Sequence, residues 1–186
     1  MILLVGLGNP TPDSQDNRHN IGFKIIDAIN QKFGLSKQKP KFKGLLTTGN
    51  ISNKKVYAIK PLTFMNNSGI CIRELMEYFK IDSKDVIVFH DDLDVNFGKI
   101  KAKFGGSSAG HNGIESIDKF IGKDYSRIRV GIGKPEKKIE ISDFVLTNFT
   151  QDEKIELEKI IQNIIESLPI LIDKKLDLFS STVNNK

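Results

Sequence analysis

Ile2-Leu3-Leu4-Val5-Gly6-Leu7-Gly8-Asn9-Pro10-Thr11-Pro12-Asp13-Ser14-Gln15-Asp16-Asn17-Arg18-His19-Asn20 runs almost from the first residue, and its reading decides the fold. Residues 2–6 are an apolar run without alternation, the pattern of a strand covered on both faces. From Ile21 to Phe33, apolar residues at 25, 26, 29 and 33 fall at helical spacing, and Gly34 is a good stop. The order is therefore strand, loop, helix, and the loop Asn9–Asn20 leaves the carboxyl end of a buried strand. Ligand crevices of open α/β sheets lie outside those ends. The loop carries His19, one of three histidines, and imidazole is the side chain suited to proton transfer near neutral pH. Gly6 and Gly8 resemble the start of a dinucleotide fingerprint. Thr11 stands where the third glycine belongs and Pro10 interrupts the turn, so that reading is rejected.

The same alternation continues downstream. Residues 36–41 read as a polar, lysine-rich connection, and 42–51 and 55–60 as a hairpin turning at 50–53. A loop over 63–69 leads into a helix capped by Asn67 or Ser68, with Ile72, Leu75, Met76 and Phe79 as its buried stripe. Val86-Ile87-Val88-Phe89 is a second buried strand running into His90-Asp91-Asp92-Leu93-Asp94. Residues 99–104 alternate charged and apolar, which places Lys99, Lys101 and Lys103 on one strand face. A glycine-rich loop over 105–113 opens a helix at 114–121, and 127–132 form a strand with Arg127 and Arg129 on one side. Residues 134–142 read as a linker and 143–149 as a segment packing back on the body. An amphipathic helix begins near Asp152, and Pro169 is expected to kink it rather than end it. The expectation is an α/β fold: a single domain over 1–179, a twisted, mixed and mostly parallel sheet with helices on both faces, a kinked C-terminal helix, and a flexible tail at 180–186.

Composition narrows the classes. A chain of 186 residues is long enough for one hydrophobic core and short for two. The longest apolar runs are four or five residues, so no membrane span is expected. The first residues lack the pattern of a secretory leader. The single cysteine, Cys71, excludes an internal disulfide framework and a thiolate metal cluster, and reads as a small core residue. A cytoplasmic location is the expectation. The net charge of +5 is compatible with nucleic acid without requiring it.

Three loops that follow strands carry the reactive groups: Asn9–Asn20, His90–Asp94 and Gly110–Gly113; a fourth, Phe64–Asn67, adds amides. In a mostly parallel sheet these loops gather at one edge. His19 pairs naturally with Asp91, which follows directly on its strand. A carboxylate on one ring nitrogen fixes the tautomer and leaves the other free to take a proton from water. Asp92 and Asp94 read as turn or cap residues, and Asp91 taken alone would too. A metal at His90–Asp94 is disfavoured, because consecutive strand-end residues point different ways. Ser107 and Ser108 lie in a glycine-rich loop and are not read as a serine nucleophile. Asn9, Asn20, Asn66, Asn67 and Asn112 all fall in these loops, and several amides around one histidine suit peptide main chain or a tetrahedral oxyanion. Each asparagine taken singly reads equally well as a turn or cap. The two basic strips, if adjacent, would form a phosphate-binding patch.

Together Gly6-Leu7-Gly8-Asn9-Pro10, Arg18-His19-Asn20-Ile21-Gly22, Lys60-Pro61-Leu62-Thr63-Phe64-Met65-Asn66-Asn67-Ser68-Gly69, His90-Asp91-Asp92-Leu93-Asp94, Gly110-His111-Asn112-Gly113 and Arg127-Ile128-Arg129-Val130-Gly131-Ile132-Gly133 resemble bacterial peptidyl-tRNA hydrolase. The resemblance implies a monomeric esterase, independent of metal and cofactor, with no obligate protein partner and no membrane association. It would cleave the ester joining a peptide to the 3′ ribose of tRNA, recycling tRNA from stalled translation. It implies His19 as general base, Asp91 as its orienter and Asn112 as a third catalytic group. Asn9, Met65, Asn66, Ser14 and His111 would contact substrate, and Lys103 and Arg129 the tRNA terminal phosphate. The family usually has Gly, Tyr and Thr where this chain has Thr11, Ser14 and Asn17; with Ser14, aromatic stacking near the substrate's 3′ end is lost. Two other readings are a non-catalytic RNA-binding protein on this fold and a metal-dependent phosphoesterase using His90–Asp94.

Overall fold

β1 (Ile2–Gly6) is buried at every position and lies at the centre of a seven-stranded sheet ordered β2-β3-β4-β1-β5-β7-β6. Its neighbours are β4 (Lys54–Pro61) and β5 (Val86–Asp92), both parallel to it, and β7 (Ser126–Gly131) runs parallel to β5. Antiparallel strands close the margins. β3 (Gly44–Ile51) pairs with β4 and β2 (Lys39–Lys41) with β3; on the far side β6 (Ile100–Phe104) pairs with β7. The computed structural model describes residues 1–186, and no helix is long and apolar enough to cross a membrane.

Two cores sandwich the sheet, as expected when helices cover both faces. Alternation along β1 sends Ile2 and Leu4 to one face and Leu3 and Val5 to the other. The first face is covered by α1 (Ile21–Lys32), α5 (Gln151–Ile172) and α6 (Leu176–Asn184), through Ile25, Ile26, Leu168 and Phe179 among others. The second is covered by α2 (Ser68–Phe79) and α3 (Asn112–Ile121), through Cys71, Ile72, Leu75, Ile114 and Ile117. Burial pushes the Cys71 thiol up to about 12, with Glu74 adding to the effect, so it is inert core.

Several expectations need correction. Residues 36–41 are not all connection: Lys39–Lys41 forms an edge strand, invisible as such because its Lys-Pro-Lys sequence has no apolar face. Ile141–Phe144 forms a short helix, α4, inside the expected linker and packing-back segment. Neither Asn67 nor Ser68 caps α2, because a single 3-10 turn over Met65–Asn67 runs straight into the helix. Ser68 Oγ instead donates back to the Met65 carbonyl, and Ser116 Oγ accepts from the Gly69 amide. α5 continues through Pro169 to Ile172, and a capping box of Thr150 and Glu153 starts it. The tail is not flexible through 180–186: residues to Asn184 belong to α6, with Phe179 and Val183 buried. Ser180 Oγ accepts from the Ala102 amide, and Asn184 exchanges hydrogen bonds with the Ile100 amide and carbonyl. α6 thus covers the outer edge of β6.

Candidate active site

At the carboxyl end of β1 the chain leaves the sheet, and Asn20 fixes its path. Asn20 Oδ1 accepts from the Asn9 amide and Asn20 Nδ2 donates to the Asn9 carbonyl, both at 2.9 Å. Asn9 Oδ1 in turn accepts from the Met65 amide at 2.9 Å, tying this loop to the one after β4. Both oxygens of Asn9 are thus structural, and its Nδ2 is left as a donor. Ser14 is buried, and its hydroxyl lies 2.6 Å from that of Thr11, so these two of the three departures satisfy each other.

His19 is clamped from behind. Its amide donates to the Val145 carbonyl, and the Arg18 amide to that of Thr147. The buried Arg18 guanidinium donates to both Glu153 oxygens, at 2.8 and 2.9 Å, and to Thr147 Oγ1 at 3.0 Å. It also lies 4.7 Å from the Phe144 ring centroid and 5.2 Å from that of Phe149. Burial alone would raise the Glu153 carboxyl, but the Arg18 bonds hold it below the usual range. Nothing in the spacing of these residues announced this clamp. Its parts lie more than a hundred positions apart, and Glu153 already has a role in starting α5.

The core of the site is Asp91, buried at the end of β5. His19 Nδ1 lies 2.9 Å from both of its oxygens, and His111 Nε2 lies 2.9 Å from Oδ1. Burial disfavours the charged carboxylate, but the imidazoles of His111 and His19 outweigh it and hold Asp91 well below the ordinary range. An ionised carboxylate only accepts, so both ring nitrogens facing it carry protons. His111 is fixed further: its Nδ1 accepts from the amides of Gly113 and Ile114, capping α3. His19 therefore has Nδ1–H on Asp91 and its Nε2 lone pair free. His111 was expected to touch substrate; the structure puts its ring on Asp91 as well. The ligating atoms of His19, Asp91 and His111 lie within 4.8 Å of one another, but a metal ion would have to displace both imidazole protons.

Two cavities meet at this point. The smaller, about 420 Å³, is bounded by Asn9, Ser14, Met65, Asn66 and the exposed Phe64. The larger, about 650 Å³, runs past His111, Asp92 and Lys134. His19, Asn112, Ser142 and Val145 belong to both walls. Asn112, the exposed first residue of α3, stands at their junction.

The basic strips are adjacent, since Lys101 faces Arg129 and Lys103 faces Arg127 across β6 and β7. They are not equivalent. Arg127 is buried, donates to Asp118 at 2.8 Å and to the Ser107 carbonyl at 3.0 Å, and packs on Tyr125. It is a structural residue and drops out of any phosphate patch. Lys99 lies before β6, outside the strand, because its amide closes a turn onto Asn96. Arg129 donates from Nε to Asp92 at 2.7 Å, and Asp92 Oδ1 accepts from the Asp94 amide. That bond orients the guanidinium with its outer donors unused. Lys101 and Lys103 are exposed.

The third histidine, His90, is buried on β5 beside this cluster. Burial, then the proximity of His111, pushes it down to about 3, against the pull of Asp91 and Asp92. The native state therefore refuses a proton that the unfolded chain accepts below about 6.5. The folded value is depressed, so the contribution is complete above that pH and is lost as pH falls towards 3. Unfolding free energy should therefore fall as pH drops across this window from His90 alone. Asp91 adds a loss of the same sign only below about 4. Urea titrations at stepped pH values should show a shallower acid slope in His90→Asn; an unchanged slope would refute the assignment.

Known proteins resemble this chain along its whole length. The family model described as peptidyl-tRNA hydrolase matches residues 3–186. The chain is 80% identical over 186 residues to the peptidyl-tRNA hydrolase of Pelagibacter ubique, covering all of both. It is 41% identical to that of Bacillus subtilis, covering 94% of this chain and 93% of the relative. The crystal structure of peptidyl-tRNA hydrolase from Acinetobacter baumannii superposes with a TM-score of 0.92 at 33% identity, covering 99% of this chain and 94% of the other. A match of this extent, over a chain in which the loops after β1, β4 and β5 and the start of α3 converge, settles the relationship: the chain belongs to the peptidyl-tRNA hydrolase family.

Proposed function

We infer that this chain hydrolyses the ester between a peptide and the 3′ ribose of peptidyl-tRNA, releasing both. The observation that carries the reading is the Asp91 carboxylate, which holds His19 as the Nδ1–H tautomer with Nε2 free on the wall shared by two cavities. In this reading Nε2 takes a proton from water as the water attacks the ester carbonyl, and Asp91 stabilises the imidazolium that forms. Asn112 and the free Nδ2 of Asn9 donate to the developing oxyanion. Asn66 and Met65 border the peptide in the smaller cavity, where Ser14 contributes wall. His19 then returns its proton to the departing ribose oxygen. Lys103 and the outer donors of Arg129 meet the terminal phosphate, and the 3′ end lies along the larger cavity past His111. A tRNA substrate fits a cytoplasmic location.

Release of free tRNA from a purified N-blocked peptidyl-tRNA tests this, with and without EDTA. Turnover should survive the chelator and fall about 10²–10⁴-fold in His19→Ala. Activity abolished by EDTA would move the chemistry to a metal. Binding without turnover would leave only an RNA-binding protein.

A further inference from the structure

His90 is a polar side chain that a buried strand does not ordinarily hold. It is 4% exposed, its Nε2 has no polar partner, and an apolar residue would avoid that cost. Its Nδ1 explains its presence. Along the β1–β5 ladder the Leu7 amide donates to the Phe89 carbonyl at 3.1 Å. Two residues further, the Asn9 amide would donate to the Asp91 carbonyl by the parallel pattern. The Asn9 amide is diverted to Asn20 Oδ1. The sheet opens here into the site, and the Asp91 carbonyl would lose its ladder partner. His90 Nδ1–H fills the vacancy at 2.8 Å. The same ring meets His111 edge to face, at 5.0 Å between centroids and 73° between planes.

We propose that His90 is a positioning residue for hydrolysis. It holds the Asp91 backbone at the point where the sheet splits, and it braces the His111 ring that shares the Asp91 carboxylate with His19. It borders the larger cavity, and its part in hydrolysis runs through those two residues. Because it stays neutral, it does so without adding a competing charge beside Asp91. This role rests on the hydrolytic reading above.

The test compares His90→Phe, which keeps a ring and loses the donor, with His90→Asn, which keeps a donor near the Nδ1 position. His90→Phe should lower kcat about tenfold or more, the effect of misplacing a catalytic group, with KM nearly unchanged. His90→Asn should recover most of kcat. Equal kcat in the wild type and His90→Phe, or an equal fall in both variants, would overturn the proposal. Nitrogen-15 NMR of the unmodified protein gives an independent answer, with only three histidines to assign. His90 should carry its proton on Nδ1; a proton on Nε2 would overturn the proposal even if no variant folds. If the wild type shows no turnover, the hydrolytic reading fails, and the NMR result still decides where His90 donates.

Discussion

Asp91→Asn should lower kcat by about 10⁴ with little change in KM. The carboxylate accepts from two imidazole N–H groups, His19 Nδ1 at 2.9 Å from both oxygens and His111 Nε2 at 2.9 Å from Oδ1. An amide replaces one of those oxygens with a donor. With its nitrogen at the Oδ1 place, it faces both imidazole protons. Turned over, it still faces that of His19. His111 cannot escape by changing tautomer, because its Nδ1 already accepts from the amides of Gly113 and Ile114. His19 can, by moving its proton to Nε2, and that removes the lone pair on which the proposed mechanism relies. Single-turnover hydrolysis measures the loss, and a variant within about tenfold of wild type would mean that tautomer control is not what Asp91 supplies.

Gly22→Ala should cost about 3 kcal/mol or more, the upper range for overpacking, because the atoms in the way are backbone. A Cβ there would sit 2.3 Å from the Leu7 nitrogen, 2.5 Å from the Phe89 oxygen and 2.6 Å from the Leu7 oxygen. Gly6 meets the same crossing from the other side, its Cβ position 2.1 Å from the Gly22 oxygen. β1, β5 and the first turn of α1 touch main chain to main chain, so nothing flexible can yield. His19 lies three positions upstream of Gly22, so the variant should lose activity together with stability. Urea unfolding checks the size; a loss under about 1 kcal/mol would show that α1 can shift without penalty.

The His19–Asp91 pair was legible because both residues follow buried apolar strands, and a parallel sheet brings such positions to one edge. The central strands and α1 were legible for the same reason: their apolar runs have one plausible burial. What stayed hidden depends on contacts that leave no periodic trace. Asn20 locks Asn9 through an amide pair eleven positions apart, and among so many asparagines neither residue stands out. Arg127 and Arg129 alternate identically in sequence; only the arrival of Asp118 and Tyr125 from α3 and its following turn makes one structural and leaves the other partly free. β2 has no apolar residue to betray it. α6, with Ser180, Ser181, Thr182 and Val183 in succession, has weak intrinsic helix preference, and the burial of Phe179 and Val183 organises it instead.

α6 also does for one margin of the sheet what Lys39, Pro40 and Lys41 do for the other. β2 deters a further strand by charge and by a missing amide. β6 also carries lysines, Lys101 and Lys103, but has no proline, and Ile100 and Ala102 turn ordinary amides outward. Ser180 and Asn184 occupy those amides with side-chain oxygens, as an added strand would with carbonyls. A chain cut short after residue 175 would thus lose more than a helix. Its sheet would end in an open hydrogen-bonding edge, and two such chains could join there into a continuous sheet. The last turns of α6 therefore close the edge of β6 to a further strand.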